Sequence, residues 1–275
     1  METKLLLDFS PIKGYRIGYA PVGKPYMSVI CYQIDELLID TGPANSRRAL
    51  MGLLDPKTIS RICLTHYHED HAGNAAYLSK HHNIPVYGHA LTAEILKKPV
   101  KLKTYEKYIW GNLETIDIHP LGDSVETENY RFTLIHTPGH SDDHIVYWEK
   151  NQGWLFSGDM YLGSRIKYFR ADESISQTID SLKKITSLQF DKLFCGHNPK
   201  LEQPHEAIQR KIDHLENIIG NVQYLYTQGK SHKEILQELV RGRESWLVKI
   251  VSMGDVSYKN MVLSAIKDIE QKSSA

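Results

Sequence analysis

The feature that most constrains this chain is the segment "LTHYHEDHAGN", residues 64–74, which follows a short apolar run. It places three histidines and two acids in six consecutive positions. In an extended segment, side chains two residues apart point to the same side, so His66 and His68 can reach one metal ion together. Asp70 and His71 follow where we expect the chain to turn into a helix, and they can supply a second ion. The segment therefore predicts a buried strand that ends at a metal-binding edge.

Three later turns repeat this arrangement. The segments "HTPGH", "FSGD" and "FCGH" each follow or end an apolar, strand-like run and place a glycine directly before a residue that can bind metal. Those residues are His140, Asp159 and His197. Glycine permits the sharp backbone geometry that presents a side chain at the edge of a sheet. Because a metal site needs more ligands than one loop supplies, the four turns together predict one shared centre.

The first part of the chain interleaves strand and helix patterns. Apolar runs at 27–34 and 36–40 flank Asp35 and predict a tight hairpin, and the run at 59–65 predicts a buried strand. Residues 90–112 are basic and aromatic and have helical propensity, with Pro99 as an interruption. Strands that alternate with helices favour a mixed α/β layered fold.

The character changes after residue 200. Residues 201–275 show long helical patterns and no strand, and "SHKE" at 231–234 has the spacing of a helix capping box. We therefore expect a catalytic domain over 1–200 and a helical C-terminal region over 201–275.

Composition narrows the function classes. Thirty-three basic and thirty-three acidic residues give a formal charge of zero, so nucleic acid is a less favoured partner than a small molecule. The chain has no long apolar segment, which predicts no membrane association. Cys31, Cys63 and Cys195 lie in or beside apolar runs, as small buried residues of a reducing compartment do. We expect a cytoplasmic protein.

With these motifs, the sequence resembles the metallo-β-lactamase-fold superfamily of metal-dependent hydrolases. The match runs in the family's order from "LLIDTG" at 37–42 through "THYHEDH", "TPGH", "SGD" and "CGH". The resemblance implies an αββα sandwich of two mixed sheets with a binuclear metal site at one edge. It extends to the branches of hydroxyacylglutathione hydrolases, lactonases and β-lactamase-like protein 2, and suggests a winged-helix-like C-terminal region.

The resemblance also implies a role for each candidate residue. Metal one would be held by His66, His68 and His140. Metal two would be held by Asp70, His71 and His197, with Asp159 bridging both ions. Asp40 would orient a ligand imidazole by accepting its other N–H. Apart from the resemblance, the position of His144 four residues after His140 suggests a contact with a ligand or the substrate, and a hydrogen-bonded residue at the start of a strand is the alternative. Imidazole and carboxylate donors suit two Zn²⁺, with manganese or iron as alternatives.

These assignments imply a hydrolytic mechanism. Two such ions about 3.5–4 Å apart can share one water and bring its pKa towards about 7. The bridging hydroxide would attack a small ester, thioester or lactone. Asp70 is the expected catalytic residue, which orients the hydroxide and carries its proton.

Aromatic and basic residues that follow the bridging aspartate are candidate substrate contacts: Tyr161, Arg165, Lys167, Tyr168 and Arg170. With lysines of the 90–112 segment, namely Lys97, Lys98, Lys101 and Lys103, they could line an anion-binding entrance. A solvated charged surface is the alternative interpretation.

Three further functions stay open at this point. The first is a metal-dependent endoribonuclease or phosphodiesterase of the same fold. The second is a mononuclear-iron persulfide dioxygenase, which uses fewer of these ligands. The third is a metal-binding protein without catalysis. Asp159 argues against a true β-lactamase, because the resemblance implies that those enzymes lack the bridging aspartate. A homodimer is also left open.

Overall fold

The computed structural model describes residues 2–20, 23–25 and 27–273. The first sheet contains strands that follow one another in chain order: β1 (Glu2–Phe9), β2 (Ile12–Tyr19), β3 (Val29–Ile34), β4 (Leu37–Ile39), β5 (Arg61–Cys63), β6 (Val86–Gly88) and β7 (His119–Pro120). Strands β1 to β4 pair antiparallel, and β4 to β7 pair parallel. The hairpin predicted around Asp35 is confirmed, since β3 and β4 pair on either side of it.

The later strands form a second sheet and a small ribbon. They are β8 (Ser124–Glu126), β9 (Arg131–His136), β10 (Ile145–Glu149), β11 (Trp154–Gly158), β12 (Phe169–Arg170), β13 (Lys192–Cys195) and β14 (Val256–Ser257). The second sheet has the order β13-β11-β10-β9-β8 and is antiparallel except where β11 pairs with β13. The ribbon is the antiparallel pair β12 and β14. Both sheets are therefore mixed.

Helices connect and cover the sheets. They are α1 (Arg47–Met51), α2 (Glu69–Ala72), α3 (Ala75–His82), α4 (Ala90–Leu96), α5 (Thr104–Ile109), α6 (Ile175–Thr186), α7 (Pro204–Thr227), α8 (His232–Val240), α9 (Trp246–Val251) and α10 (Tyr258–Ser273). Short 3-10 turns precede α1 and β5. In the described residues, no helix combines the length and apolar character that crossing a bilayer requires.

Three buried clusters define the layers. Between the sheets, Tyr32 of β3 packs edge-on against Phe156 of β11, with ring centroids 5.4 Å apart. Leu50 of α1 and Leu78 of α3 pack on the outer face of the first sheet. Leu182 of α6 belongs to the cluster that covers the second sheet. The mixed α/β layered fold that the sequence predicts, and the αββα sandwich that the resemblance implies, are confirmed.

The C-terminal helices are also confirmed, with one correction. The expectation of no strand after residue 200 is wrong, because β14 pairs with β12 of the preceding region. The capping box forms as predicted: the Ser231 amide donates to Glu234 Oε2 at 2.8 Å, and the Glu234 amide donates to Ser231 Oγ at 3.4 Å. Helices α7 and α10 share a core with the second sheet, and the division at residue 200 stays a prediction.

Candidate metal centre

Three imidazoles lie close together in the turns that follow β5 and β9. His66 Nε2 lies 3.0 Å from His68 Nδ1, which lies 3.0 Å from His140 Nε2. All three side chains are buried. A zinc ion with Zn–N bonds of about 2.0–2.1 Å and tetrahedral angles would hold such nitrogens about 3.3 Å apart. We call these residues set one, and their spacing fits a metal ion.

A second group lies beside the first and contains carboxylates: Asp70, His71, Asp159 and His197, which we call set two. His71 Nε2 lies 3.2 Å from Asp159 Oδ1, and His197 Nε2 lies 3.4 Å from Asp70 Oδ2. In the described part of the chain, His71 Nε2, Asp159 Oδ1 and His197 Nε2 are buried without a hydrogen-bond partner. Buried polar atoms are rarely left unpaired, so a cation would supply the partner that these atoms lack.

Asp159 belongs to set two and also approaches set one. Its Oδ1 faces His71 and, at 3.5 Å, His197 of set two. Its Oδ2 lies 3.6 Å from His140 Nε2 of set one. The two carboxylate oxygens therefore face histidines of different sets. A residue shared by two ions requires this arrangement.

Asp40 contacts a predicted ligand imidazole on the side that faces away from the two sets. Its Oδ2 lies 2.7 Å from His71 Nδ1, the contact that the resemblance implies. Thr65, which sequence reasoning missed, donates its hydroxyl to Asp40 at 2.9 Å. That hydroxyl oxygen can then accept from His66 Nδ1, 2.9 Å away. Both contacts leave the Nε2 atoms of His66 and His71 free to bind a metal.

His144 acts on the backbone of the shared aspartate. Its Nε2 accepts the Asp159 amide N–H at 3.2 Å, and its Nδ1 lies 2.9 Å from the Thr137 hydroxyl. Burial, and then the neighbouring His140, holds the pKa of His144 well below its usual value. The neutral ring therefore holds Asp159 in place, and the two contacts occupy both of its nitrogens.

Two outer contacts of the predicted ligand histidines have no local sequence signal. His197 Nδ1 donates to the Ser28 carbonyl at 2.8 Å. His140 Nδ1 lies 3.3 Å from Glu173 Oε2. Ser28 and Glu173 are far from these histidines in the chain, so only the folded structure reveals the contacts.

The buried histidines fall into two groups by proton affinity, and His140 of set one belongs with those of set two, since Glu173 raises its pKa despite burial. Burial, together with neighbouring imidazoles and cations, holds the pKa values of His66 and His68 well below the usual range. Burial has the same tendency at His71 and His197, but the nearby carboxylates outweigh it and raise both pKa values well above it. The pKa of Asp159 is well below its usual value, since the two imidazoles outweigh the effect of burial.

Two glycines lie where the backbone packs too closely for any side chain. Gly139, directly before His140, has a φ of +131°, and a Cβ there would lie 2.4 Å from the Thr178 backbone nitrogen. A Cβ on Gly196 would lie 2.7 Å from His71 Cε1 and 2.9 Å from Asp159 Oδ1. Glycine is therefore required on steric grounds just before His140 and His197.

Several residues predicted to contact the substrate have other partners in the structure. The buried Tyr161 directs its hydroxyl to Ser164, 3.1 Å away, and Arg170 forms ion pairs with Glu69 and Glu106. Tyr168 is half-buried against the core that covers the second sheet. The basic residues that stay exposed are Arg165, Lys167, Lys97, Lys98, Lys101 and Lys103. Of these, Lys103 pairs with Asp255, and Lys97 pairs with Asp117.

Comparison with known proteins identifies the family. Residues 21–197 match the model of the metallo-β-lactamase superfamily, which covers more than half of the chain. The chain belongs to this superfamily.

Relatives at moderate identity have different names. The chain is 31% identical to a β-lactamase-like protein 2 homolog of Drosophila melanogaster, over 65% of this chain and 60% of the fly protein. It is 30% identical to a hydroxyacylglutathione hydrolase of a Marinomonas strain, over 63% of this chain and 62% of that protein. The chain thus matches less than two thirds of either relative's length.

A solved structure supports the fold over nearly the whole chain. A metallo-β-lactamase family protein from Thermus thermophilus superposes with a TM-score of 0.66 and 18% identity. The match covers 99% of this chain and 94% of that chain. It therefore includes the C-terminal helices.

Proposed function

We propose that the chain is a two-metal hydrolase of small esters, thioesters or lactones. The observation that carries the proposal is the position of Asp159, whose two oxygens face set one and set two separately. A mononuclear centre would need set one alone and would leave the buried, unpaired atoms of set two unexplained.

The donor set supports zinc as the metal. It contains five imidazoles and two carboxylates and no thiolate, a combination that suits zinc and also allows manganese or iron. The Cys195 thiol donates to the Tyr161 carbonyl, and burial raises the pKa of that thiol, so it is a structural residue. Cations held by the two sets would acidify a water molecule and polarise a carbonyl oxygen.

The residues of the chain have distinct roles in this proposal. Asp70 is ionised, because the charges of His71 and His197 lower its pKa against the effect of burial. An ionised carboxylate at the edge of the centre can accept the proton of an attacking water and pass it to the leaving group. Asp40 and His144 hold His71 and Asp159 in place, so the groups need no rearrangement during the reaction.

The name of the Marinomonas relative supports an acyl substrate, since it denotes hydrolysis of an acylglutathione. The formal charge of zero supports a small molecule over nucleic acid. All three cysteines are free thiols, which supports a cytoplasmic location.

The test is a substrate panel with purified, zinc-loaded protein. It should contain S-lactoylglutathione, acyl-coenzyme A thioesters, an acyl-homoserine lactone and single-stranded RNA. We expect turnover of at least one ester, thioester or lactone, and its loss in His68→Ala. The matched control is His82→Ala, which removes an exposed histidine of α3 and should keep full activity.

The panel also separates the alternatives. Cleavage of RNA with inert acyl substrates would replace the proposal with a phosphodiesterase of the same fold. One iron per chain in the protein as isolated, before zinc loading, together with oxygen consumption would instead indicate a dioxygenase. Binding of two zinc ions without any turnover would leave a metal-binding protein.

A further inference from the structure

The turn between β12 and α6 brings a carboxylate to the back of set one. Glu173 Oε2 lies 3.3 Å from His140 Nδ1, the ring nitrogen that faces away from the other two imidazoles. Both side chains are nearly buried, with exposed fractions of 9% for Glu173 and 7% for His140. Within the described residues, His140 Nδ1 has no hydrogen bond of good geometry, so this carboxylate is the acceptor within reach.

Backbone contacts fix the position of Glu173. The Arg170 amide donates to Glu173 Oε1 at 2.8 Å, and the Glu173 amide donates to the Arg170 carbonyl at 3.4 Å. The next amide, that of Ser174, donates to the Gly139 carbonyl at 2.8 Å. One oxygen of Glu173 is thus held by the turn, and the other is directed at the residue that follows Gly139.

Charged neighbours keep this turn in place. The Arg170 guanidinium pairs with Glu69, directly before Asp70, and with Glu106 of α5. Arg170 also belongs to β12, which pairs with β14 of the C-terminal region. From α7, the buried Lys211 places a positive charge near Glu173. The Glu173 carboxylate therefore has Lys211 as a basic neighbour in addition to His140.

We propose that Glu173 is a positioning residue that accepts the Nδ1–H of His140 and thereby holds Nε2 of that ring in set one. This inference rests on the metal centre of the proposed function. A metal-binding histidine usually donates its second N–H to a carboxylate or carbonyl, and loss of that acceptor typically costs 10–100-fold in metal affinity or activity. Asp40 has this relation to His71 in set two, and Glu173 has it to His140 in set one.

The test measures zinc affinity with one set disabled at a time. Competition with a chromophoric chelator gives the dissociation constant of the remaining zinc in His197→Ala, which lacks a ligand of set two, and in His68→Ala, which lacks one of set one. We expect Glu173→Ala to weaken zinc binding about 10–100-fold in the His197→Ala background. In the His68→Ala background we expect a change below about threefold.

Two further variants exclude a general effect of lost charge. Glu173→Gln keeps an acceptor oxygen and should weaken zinc binding less than Glu173→Ala does. Glu216→Gln removes an exposed carboxylate of α7 that pairs with Lys183, and it should leave both affinities unchanged. Equal weakening in both backgrounds, or no weakening in either, would overturn the inference.

A spectroscopic readout reports on the contact itself. In zinc-loaded protein with ¹⁵N-labelled histidine, the Nδ1–H proton of His140 should give a slowly exchanging, downfield signal that disappears in Glu173→Ala. Persistence of that signal would contradict the inference. Failure of the unmutated protein to bind zinc would instead contradict the proposed function, so the two failures can be told apart.

Discussion

Set one and set two lie side by side but differ in the charged groups that surround their imidazoles. Set one has only imidazoles, and the pKa values of His66 and His68 are lowered first by burial. Set two pairs imidazoles with carboxylates, which raise the pKa values of His71 and His197 despite burial. Set two therefore contains both the imidazoles and part of the negative charge that raises their pKa values, whereas set one contains no carboxylate of its own. Residues outside the sets support both: Asp40 contacts His71, and Glu173 contacts His140.

This difference has a consequence for metal binding. At set two a cation must replace protons held between imidazole and carboxylate, because metal ligands bind in their deprotonated forms. At set one, His66 and His68 are already neutral because burial lowers their pKa values. His140 differs, because Glu173 raises its pKa despite burial, so a cation there must also replace a proton. The two carboxylate oxygens of Asp159 lie nearest different sets, so in the proposed function this residue links them into one centre.

The largest effect is expected from Asp159→Ala, which removes the only carboxylate that faces both sets in the described residues. Loss of several kcal/mol of transition-state stabilisation corresponds to a fall of about a thousandfold in kcat/KM. Zinc content, measured by elemental analysis, should fall by at least one ion per chain. Near-normal activity in this variant would show that the sets do not act together.

A smaller loss of activity is expected from variants that each remove one histidine from one set. We expect His68→Ala and His197→Ala each to reduce the zinc content from two ions per chain to one, with activity about a hundredfold lower or more. Elemental analysis of dialysed protein provides the measurement. If one variant lost both ions and the other lost none, the division into two sets would be wrong.

His144→Ala should affect activity while leaving the metal content intact. The substitution removes the acceptor of the Asp159 amide but no ligand, so we expect about 10–100-fold lower kcat with two zinc ions retained. The matched control is again His82→Ala. Loss of zinc in His144→Ala would indicate that this ring is itself a ligand.

The smallest effect is expected for Lys211, the buried lysine of α7 near Glu173. Burial lowers the pKa of Lys211 to about 8, despite the opposing charges of Glu173 and its neighbours. Between about pH 8 and its unfolded value of 10.5, the folded chain binds fewer protons than the unfolded chain, so the stability of the unmutated protein rises with pH there. Lys211→Met lacks this gain.

Denaturant unfolding of both proteins at pH 7.5 and pH 10 provides the check. Between these two pH values, the free energy of unfolding of the unmutated protein should rise by about 1–3 kcal/mol relative to that of Lys211→Met. A difference that is the same at both pH values would mean that Lys211 titrates as an exposed lysine does.

The predictable part of the fold consists of elements with strong local patterns. β5 and β13 are short apolar runs, and α6 is an amphipathic helix, so each was recognisable from the sequence. β14 has two residues and exists because it pairs with β12, so no local pattern could reveal it. The exposed Trp246 and Ile250 of α9 likewise give no amphipathic signal for a buried face.

The site divides in the same way. The seven residues of the two sets all occur in compact motifs at strand ends, and the fold brings them together. Glu173 and Ser28 contact the predicted ligands His140 and His197 across long sequence separations, so the motifs do not indicate them. The substrate contacts predicted for Tyr161 and Arg170 rested on proximity to Asp159 in the chain, and their side chains have other partners in the fold.

The most direct test of the two-metal centre is anomalous diffraction at the zinc edge from crystals of the zinc-loaded protein. We predict two peaks about 3.5–4 Å apart, one beside each set, with the Asp159 carboxylate between them. A single peak at set one, with His71 and His197 bound to no metal, would contradict the account.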